Sequence, residues 1–198
     1  MKFLWRQRRG RIALLGVAVA AAVIAVLGGF GRADVARATL AVSGANQAIA
    51  SDAFSITPTC AWTSEVRPGQ AASGPQRYLI LRATVVNKAS DWLAMQAYLD
   101  RDVIWLPTGS GEPVNSERTQ RADDATVRLT LGPGLPVRVD FIWELPAGMV
   151  PPTQATWGLF ARRHVARSYA SGEEMWVQDG PGGKFVLPVG TACDGALP

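Results

Sequence analysis

Histidine and cysteine are nearly missing from this chain: its 198 residues include one histidine, His164, and two cysteines, Cys60 and Cys193. A Ser-His-Asp or Cys-His arrangement would have to use that one histidine, and no G-x-S-x-G elbow accompanies it. Arg162 and Arg163 stand beside it, so His164 reads as a surface residue in a basic turn. C-x-x-C spacing is absent, which removes support for thioredoxin-like chemistry and for cysteine-ligated zinc. Gly180-Pro181-Gly182-Gly183 leads into Lys184-Phe185 without the Gly-Lys-Ser/Thr step of a phosphate loop, and reads as a hairpin turn. Asp100 with Asp102, and Asp123 with Asp124, lack the loop spacing that a hard cation requires, so both pairs read as solvated charge. The expectation is a chain that is not an enzyme, with no catalytic residue, metal or cofactor.

What the sequence does have is concentrated at its start. Lys2, Arg6, Arg8, Arg9 and Arg11 form a basic stub over 1–11, followed by a run from Ile12 to Phe30 that carries no charge. At about 1.5 Å per helical residue this run suits the hydrocarbon thickness of a bilayer. The positive-inside rule then keeps the stub in the cytoplasm and places everything after Gly31 outside. A cleaved signal peptide is the competing reading, with Ala36-Arg37-Ala38 as its cleavage site, but signal cores are shorter than this run. Gly16 and Ala20 offer a small-residue face suited to packing on another transmembrane helix.

Charge follows the same division. The chain has 20 Lys and Arg against 16 Asp and Glu, and without the five basic residues of the stub the balance is 15 to 16. The high isoelectric point therefore belongs to the stub, and no basic face or aromatic RNA-binding signature remains to support a nucleic-acid partner. Residues 31–50 are small and weakly polar and read as a stalk, ending in an edge strand near Thr39 to Val42. Residues 51–198 suffice for one domain with a real core.

That domain reads as strands. Phe54, Ile56, Cys60 and Trp62 alternate with Ser55, Thr57, Thr59 and Thr63. Tyr78 to Asn87 is apolar on both sides, as a central strand would be. Val137, Val139, Phe141, Trp143 and Leu145 alternate with Arg138, Asp140 and Glu144, and Pro146 closes the run. Leu93, Met95 and Tyr98 follow the turn at Asn87 to Ser90, and no segment after Phe30 sustains a capped helical period. Seven to nine short strands between Gly, Pro and Asn turns predict an antiparallel β-sandwich. Cys60 and Cys193, both external by this topology, predict one disulfide closing nearly the whole domain, with two buried free thiols as the alternative.

Three stretches carry a family likeness: YLILRATVVNKASDWL (78–93), LGPGLPVRVDFIWELP (131–146) and TWGLF around Trp157 to Phe160. Over residues 45–165 the chain resembles the Ig-like, telokin-like extracellular domains of bacterial membrane-anchored surface proteins. The resemblance implies an immunoglobulin-like sandwich; its motifs describe strands and turns rather than chemistry. A C-terminal extension, Arg162 to Pro198, departs from the pattern.

Contact residues are sought among exposed aromatics and charges. Trp62 and Trp143 fall in phase with core positions, whereas Trp92, near the Asn87 turn, and Trp176, in the extension, are free to meet a partner. Arg162, Arg163 and Arg167 form the one basic cluster outside the cytoplasm, close to Glu173 and Glu174. The favoured function is an accessory subunit whose sandwich docks on an integral membrane protein, in a complex such as a transporter. A surface protein that recognises envelope carbohydrate or a small molecule is the alternative.

Overall fold

The computed structural model describes residues 40–71, 74–108, 112–127, 130–167, 172 and 174–193. The apolar run 12–30, with Gly16 and Ala20, lies outside the described residues. Among the described residues no helix is long and apolar enough to cross a membrane.

Twelve strands and one helix follow in order among the described residues. They are β1 (Val42–Ser43), β2 (Ile49–Ala50), β3 (Phe54–Ser64), β4 (Arg77–Asn87), β5 (Leu93–Ala94), α1 (Met95–Asp102), β6 (Val103–Leu106) and β7 (Val114–Asn115). After these come β8 (Arg118–Arg121), β9 (Thr130–Leu131), β10 (Pro136–Leu145), β11 (Gln154–Val165) and β12 (Met175–Gly190). Hydrogen bonding links most of them in the order β7-β6-β11-β12-β3-β4-β10-β8, with β1 on β12 and β2 on β3. The result is a β-sandwich, as the strand pattern predicts. β12 joins its two halves, running antiparallel to β11 and then parallel to β3 through Val189 beside Ala61 and Gly190 beside Trp62. On the other side β7 and β8 are separated only by Ser116 and Glu117. There Glu117 N–H donates to the Ile142 carbonyl, and the Trp143 indole donates to the Val114 carbonyl.

Between the halves lies one core. Leu79, Leu81, Ala83 and Val85 of β4 face it together with Val139, Phe141, Trp143 and Leu145 of β10, and Trp157, Phe185 and Leu187 close it from the other side. Trp143 and Trp157 meet with ring centroids 6.2 Å apart. The opposite face of β4 and β10 is also covered, which is why β4 is apolar on both sides. Trp62, Tyr78 and Ile80 form a second cluster there with Ile142, and the disulfide cysteines pack against it.

Several sequence expectations need correcting. Cys60 and Trp62 do not share the face of Phe54 and Ile56: β3 carries an extra residue between Pro58 and Cys60, and this bulge sends the second half of the strand to the other face. Asp140, expected outside, is fully buried beside Arg82. Met95 to Asp102 is helical, with Met95, Leu99 and Asp102 buried at helical spacing in only two turns. Asp102 is accordingly no solvated charge. Gly180 to Gly183 is no hairpin turn but part of β12, where two extra residues bulge opposite Leu159 to Arg162. Gly183 permits a close approach, since a Cβ there would stand 2.7 Å from the Ile49 side chain and 3.2 Å from the Ala41 carbonyl. Residues 42–50, expected as stalk, contribute β1 and β2 to the sheet, and Leu40–Pro198 forms one unit.

Candidate functional site

The cysteines are joined: Cys60 and Cys193, 133 residues apart, form a disulfide with their Cα atoms 6.1 Å apart. The β3 bulge turns Cys60 outward, and the parallel junction of β12 with β3 delivers Cys193 three residues beyond Gly190. The bridge therefore staples the seam between the two halves.

The predicted basic cluster is divided by the fold. Arg162 is buried rather than displayed, and its partner is Asp102 of α1, not the neighbouring glutamates. Both guanidinium edge nitrogens engage the carboxylate, with Nη2 to Oδ1 at 2.9 Å, and Nη1 donates to the Trp176 carbonyl. Gln178 donates to the same Asp102 oxygen at 2.9 Å, and the Tyr98 ring lies 4.6 Å from the guanidinium carbon. Burial pushes the Asp102 carboxyl above the ordinary carboxylate range, against the pull of Arg162 and Gln178. Asp100 is raised by burial in the same way, opposed by a hydrogen bond from Thr119. The Asp102, Arg162 and Gln178 contacts lock α1 onto the long β11–β12 hairpin.

Arg163 and Arg167 are exposed on that hairpin. Arg163 pairs with Asp179 at 3.2 Å, and His164 lies 3.7 Å from Glu174 and against the Trp176 ring. Trp176 is half-buried and packs on the core, so its ring is mostly committed to the fold. Asp123 and Asp124 stay at the surface beside Arg121 and Arg138, as expected of solvated charge. Among the described residues no group of His, Cys, Asp and Glu is placed to hold a metal ion.

Trp92 is different: it is 67% exposed, and its loop is rigidly built. Asn87, fully buried at the end of β4, donates through Nδ2 to the carbonyls of Asp91 at 2.7 Å and Leu131 at 2.9 Å. Its Oδ1 accepts from Ala89 N–H, and its own carbonyl accepts from Gly134 N–H. One amide side chain thereby fastens the 88–93 loop to the 131–134 turn. The Trp92 ring rests over Gly132 next to Leu135, where an added Cβ would meet the ring at 3.0 Å and the Leu135 methyl at 3.3 Å. Leu135 is itself 58% exposed, so the two side chains form an apolar ledge at this end. The sequence signals the Asn turn and a loop tryptophan, but Leu135 and Gly132 join them only through the Asn87 hydrogen bonds. A shallow hollow at the opposite end is lined by Trp105, Pro107, Met149 and Val150, and neither Trp92 nor Trp176 contributes to it.

Asn87→Ala removes three hydrogen bonds and leaves buried carbonyls without a donor. It is expected to cost about 2–3 kcal/mol, read from the urea midpoint, and to shift Trp92 emission to the red. An unchanged spectrum would mean the ledge is held by other contacts.

No protein-family model matches the sequence, and no curated protein matches it. The chain is similar in structure to an uncharacterized beta-sandwich protein from Clostridium difficile 630, with a TM-score of 0.48 and 18% sequence identity, over 75% of this chain and 93% of that one.

Proposed function

We infer that the protein is a single-pass membrane protein, anchored by residues 12–30 with its N-terminus cytoplasmic, whose external sandwich is a non-catalytic docking module. Its partner is an integral membrane protein, and the chain serves as an accessory subunit of a larger complex such as a transporter. The observation that carries this reading is the exposed Trp92 beside Leu135 on a loop fixed by Asn87. A rigid tryptophan with apolar company is the composition of a binding hot spot, because little conformational entropy is lost when it is covered. The disulfide fits an oxidising compartment outside the cytoplasm. Immunoglobulin-like, telokin-like classification belongs to the same proposal and rests on the strand and turn motifs.

Gentle affinity purification of the full-length protein tests it. A multi-span membrane protein should co-purify, and Trp92→Ala should reduce its recovery roughly tenfold or more, the loss expected of a hot-spot residue. A detergent-solubilised protein that runs alone would sink the reading. The exposed ring also suits sugar stacking, the second reading; retention of the wild type, but not of Trp92→Ala, on an envelope polysaccharide column would favour it.

A further inference from the structure

β4 runs from Arg77 to Asn87, so Arg77 marks the end of the sandwich away from Trp92. There the turn from β10 into β11 frames a hollow of about 340 Å³, the size of a small ligand pocket. Pro146 to Met149 form a tight turn, closed by Met149 N–H donating to the Pro146 carbonyl at 3.0 Å with Gly148 at φ 79°. Pro75, Pro146 and Pro151 line the hollow and stiffen its walls, because their rings fix φ. Met149, which also packs on the core, supplies a flexible thioether, and Val150 stands 83% exposed. A second hollow of about 180 Å³ shares Met149 and Val150 with the first.

One charge decides what such a hollow can hold. All residues lining the larger hollow belong to the described part of the chain, and Arg77 is the charged one among them. Arg77 pairs with Leu145 and shares the face of Leu79 and Leu81, so its side chain leaves the sheet at the margin of the core. Its ion-pair partner is Glu65 at 3.8 Å, beyond hydrogen-bonding range, and the Glu65 side chain is 79% exposed. So loose and open a pair is worth little, and it leaves the planar donor fork of the guanidinium available.

The lining also excludes several occupants. A peptide strand needs main-chain partners, whereas the three prolines have no N–H and that of Met149 is already used. A sugar needs several polar groups in its pocket, and a phosphate dianion calls for more positive charge than one guanidinium beside a glutamate. An apolar body with a single carboxylate meets every condition.

We propose that the Arg77 hollow binds a small apolar carboxylate, with its carboxylate on the Arg77 fork in place of Glu65 and its apolar body against Met149, Val150 and the prolines. This site is separate from the Trp92 ledge and does not rest on the docking reading.

Photoaffinity labelling of the full-length protein in native membranes tests it, with a short aliphatic carboxylic acid carrying a diazirine and, as control, its primary amide. The acid should label Met149 or Val150, and the amide should not. At limiting probe Arg77→Gln should lower labelling about tenfold, the loss expected of a charge-assisted bidentate pair. Val150→Glu, which sets a negative charge at the hollow while leaving Arg77 and the core intact, should lower it severalfold, and this variant decides the matter if Arg77→Gln fails to fold. Trp92→Ala should leave labelling unchanged, so the two sites fail separately. Equal labelling by the amide, labelling confined to other segments, or labelling that survives both Arg77→Gln and Val150→Glu would overturn the proposal.

Discussion

Asp102→Ala should destabilise the protein by about 3–5 kcal/mol, because it leaves the buried Arg162 guanidinium without its carboxylate. Arg162 has little route to water: it is 7% exposed, with Tyr98 across its face and the β11–β12 hairpin beside it. The mirror variant, Arg162→Ala, should cost a similar amount, since burial already disfavours the charged form of Asp102. Replacing both at once with apolar residues of similar volume should recover most of the loss, because removing both charges removes the desolvation problem. The double-mutant cycle closed with Asp102→Ala/Arg162→Ala, measured by urea denaturation, should give a coupling energy of about 1 kcal/mol or more. Additive single effects would show that the two side chains stabilise the fold independently.

Reduction of the disulfide, or Cys60→Ser with Cys193→Ser, should produce the other large effect. The bridge closes a loop of 133 residues, and in the chain-entropy model opening such a loop costs about 4–5 kcal/mol. Native bridges deliver about 2–5 kcal/mol when removed, so a fall in the urea midpoint of that size is expected on adding dithiothreitol. The double serine variant should be insensitive to the reductant, which separates loss of the bridge from general effects of the reagent. A wild-type midpoint that does not move under full reduction would refute the stapling role. Packing supplies part of the loss too, because Cys60 and Cys193 cover Trp62, Tyr78 and Ile80.

The sandwich was legible because its strands are marked by period-two alternation and by Gly, Pro and Asn turns. β10 shows this most plainly, with Val139, Phe141, Trp143 and Leu145 in the core as their spacing requires. Alternation fails wherever the ladder slips. Thr59 adds one residue to β3, and the faces assigned to Cys60 and Trp62 invert as a result. The eight residues of α1 lack a side-chain cap, so Met95 and Leu99 resemble a continuing strand until the fold brings β6, β8 and β11 against them. Charge pairing is harder still to foresee. Nearest neighbours in sequence suggested Arg162 with Glu173 or Glu174, whereas the observed partner lies sixty residues earlier, where only tertiary packing can place it. Trp92 was legible as a loop tryptophan; its fixed position depends on Asn87, whose amide spans two loops 44 residues apart.

The position of β12 has a consequence for how such a chain can be completed. It is the latest strand in sequence among the described residues, yet it lies in the middle of the sheet, between β11 and β3. As the chain emerges amino-terminus first, β3, β4, β10 and β8 can assemble on one side and β6, β7 and β11 on the other. Until β12 arrives, β11 leaves a long hydrogen-bonding edge open and β3 leaves its edge open at Ala61 and Trp62, the condition in which strands pair with the wrong neighbour. A nonsense mutation after Val165 would thus remove the keystone rather than trim a margin, leaving two sticky half-sheets.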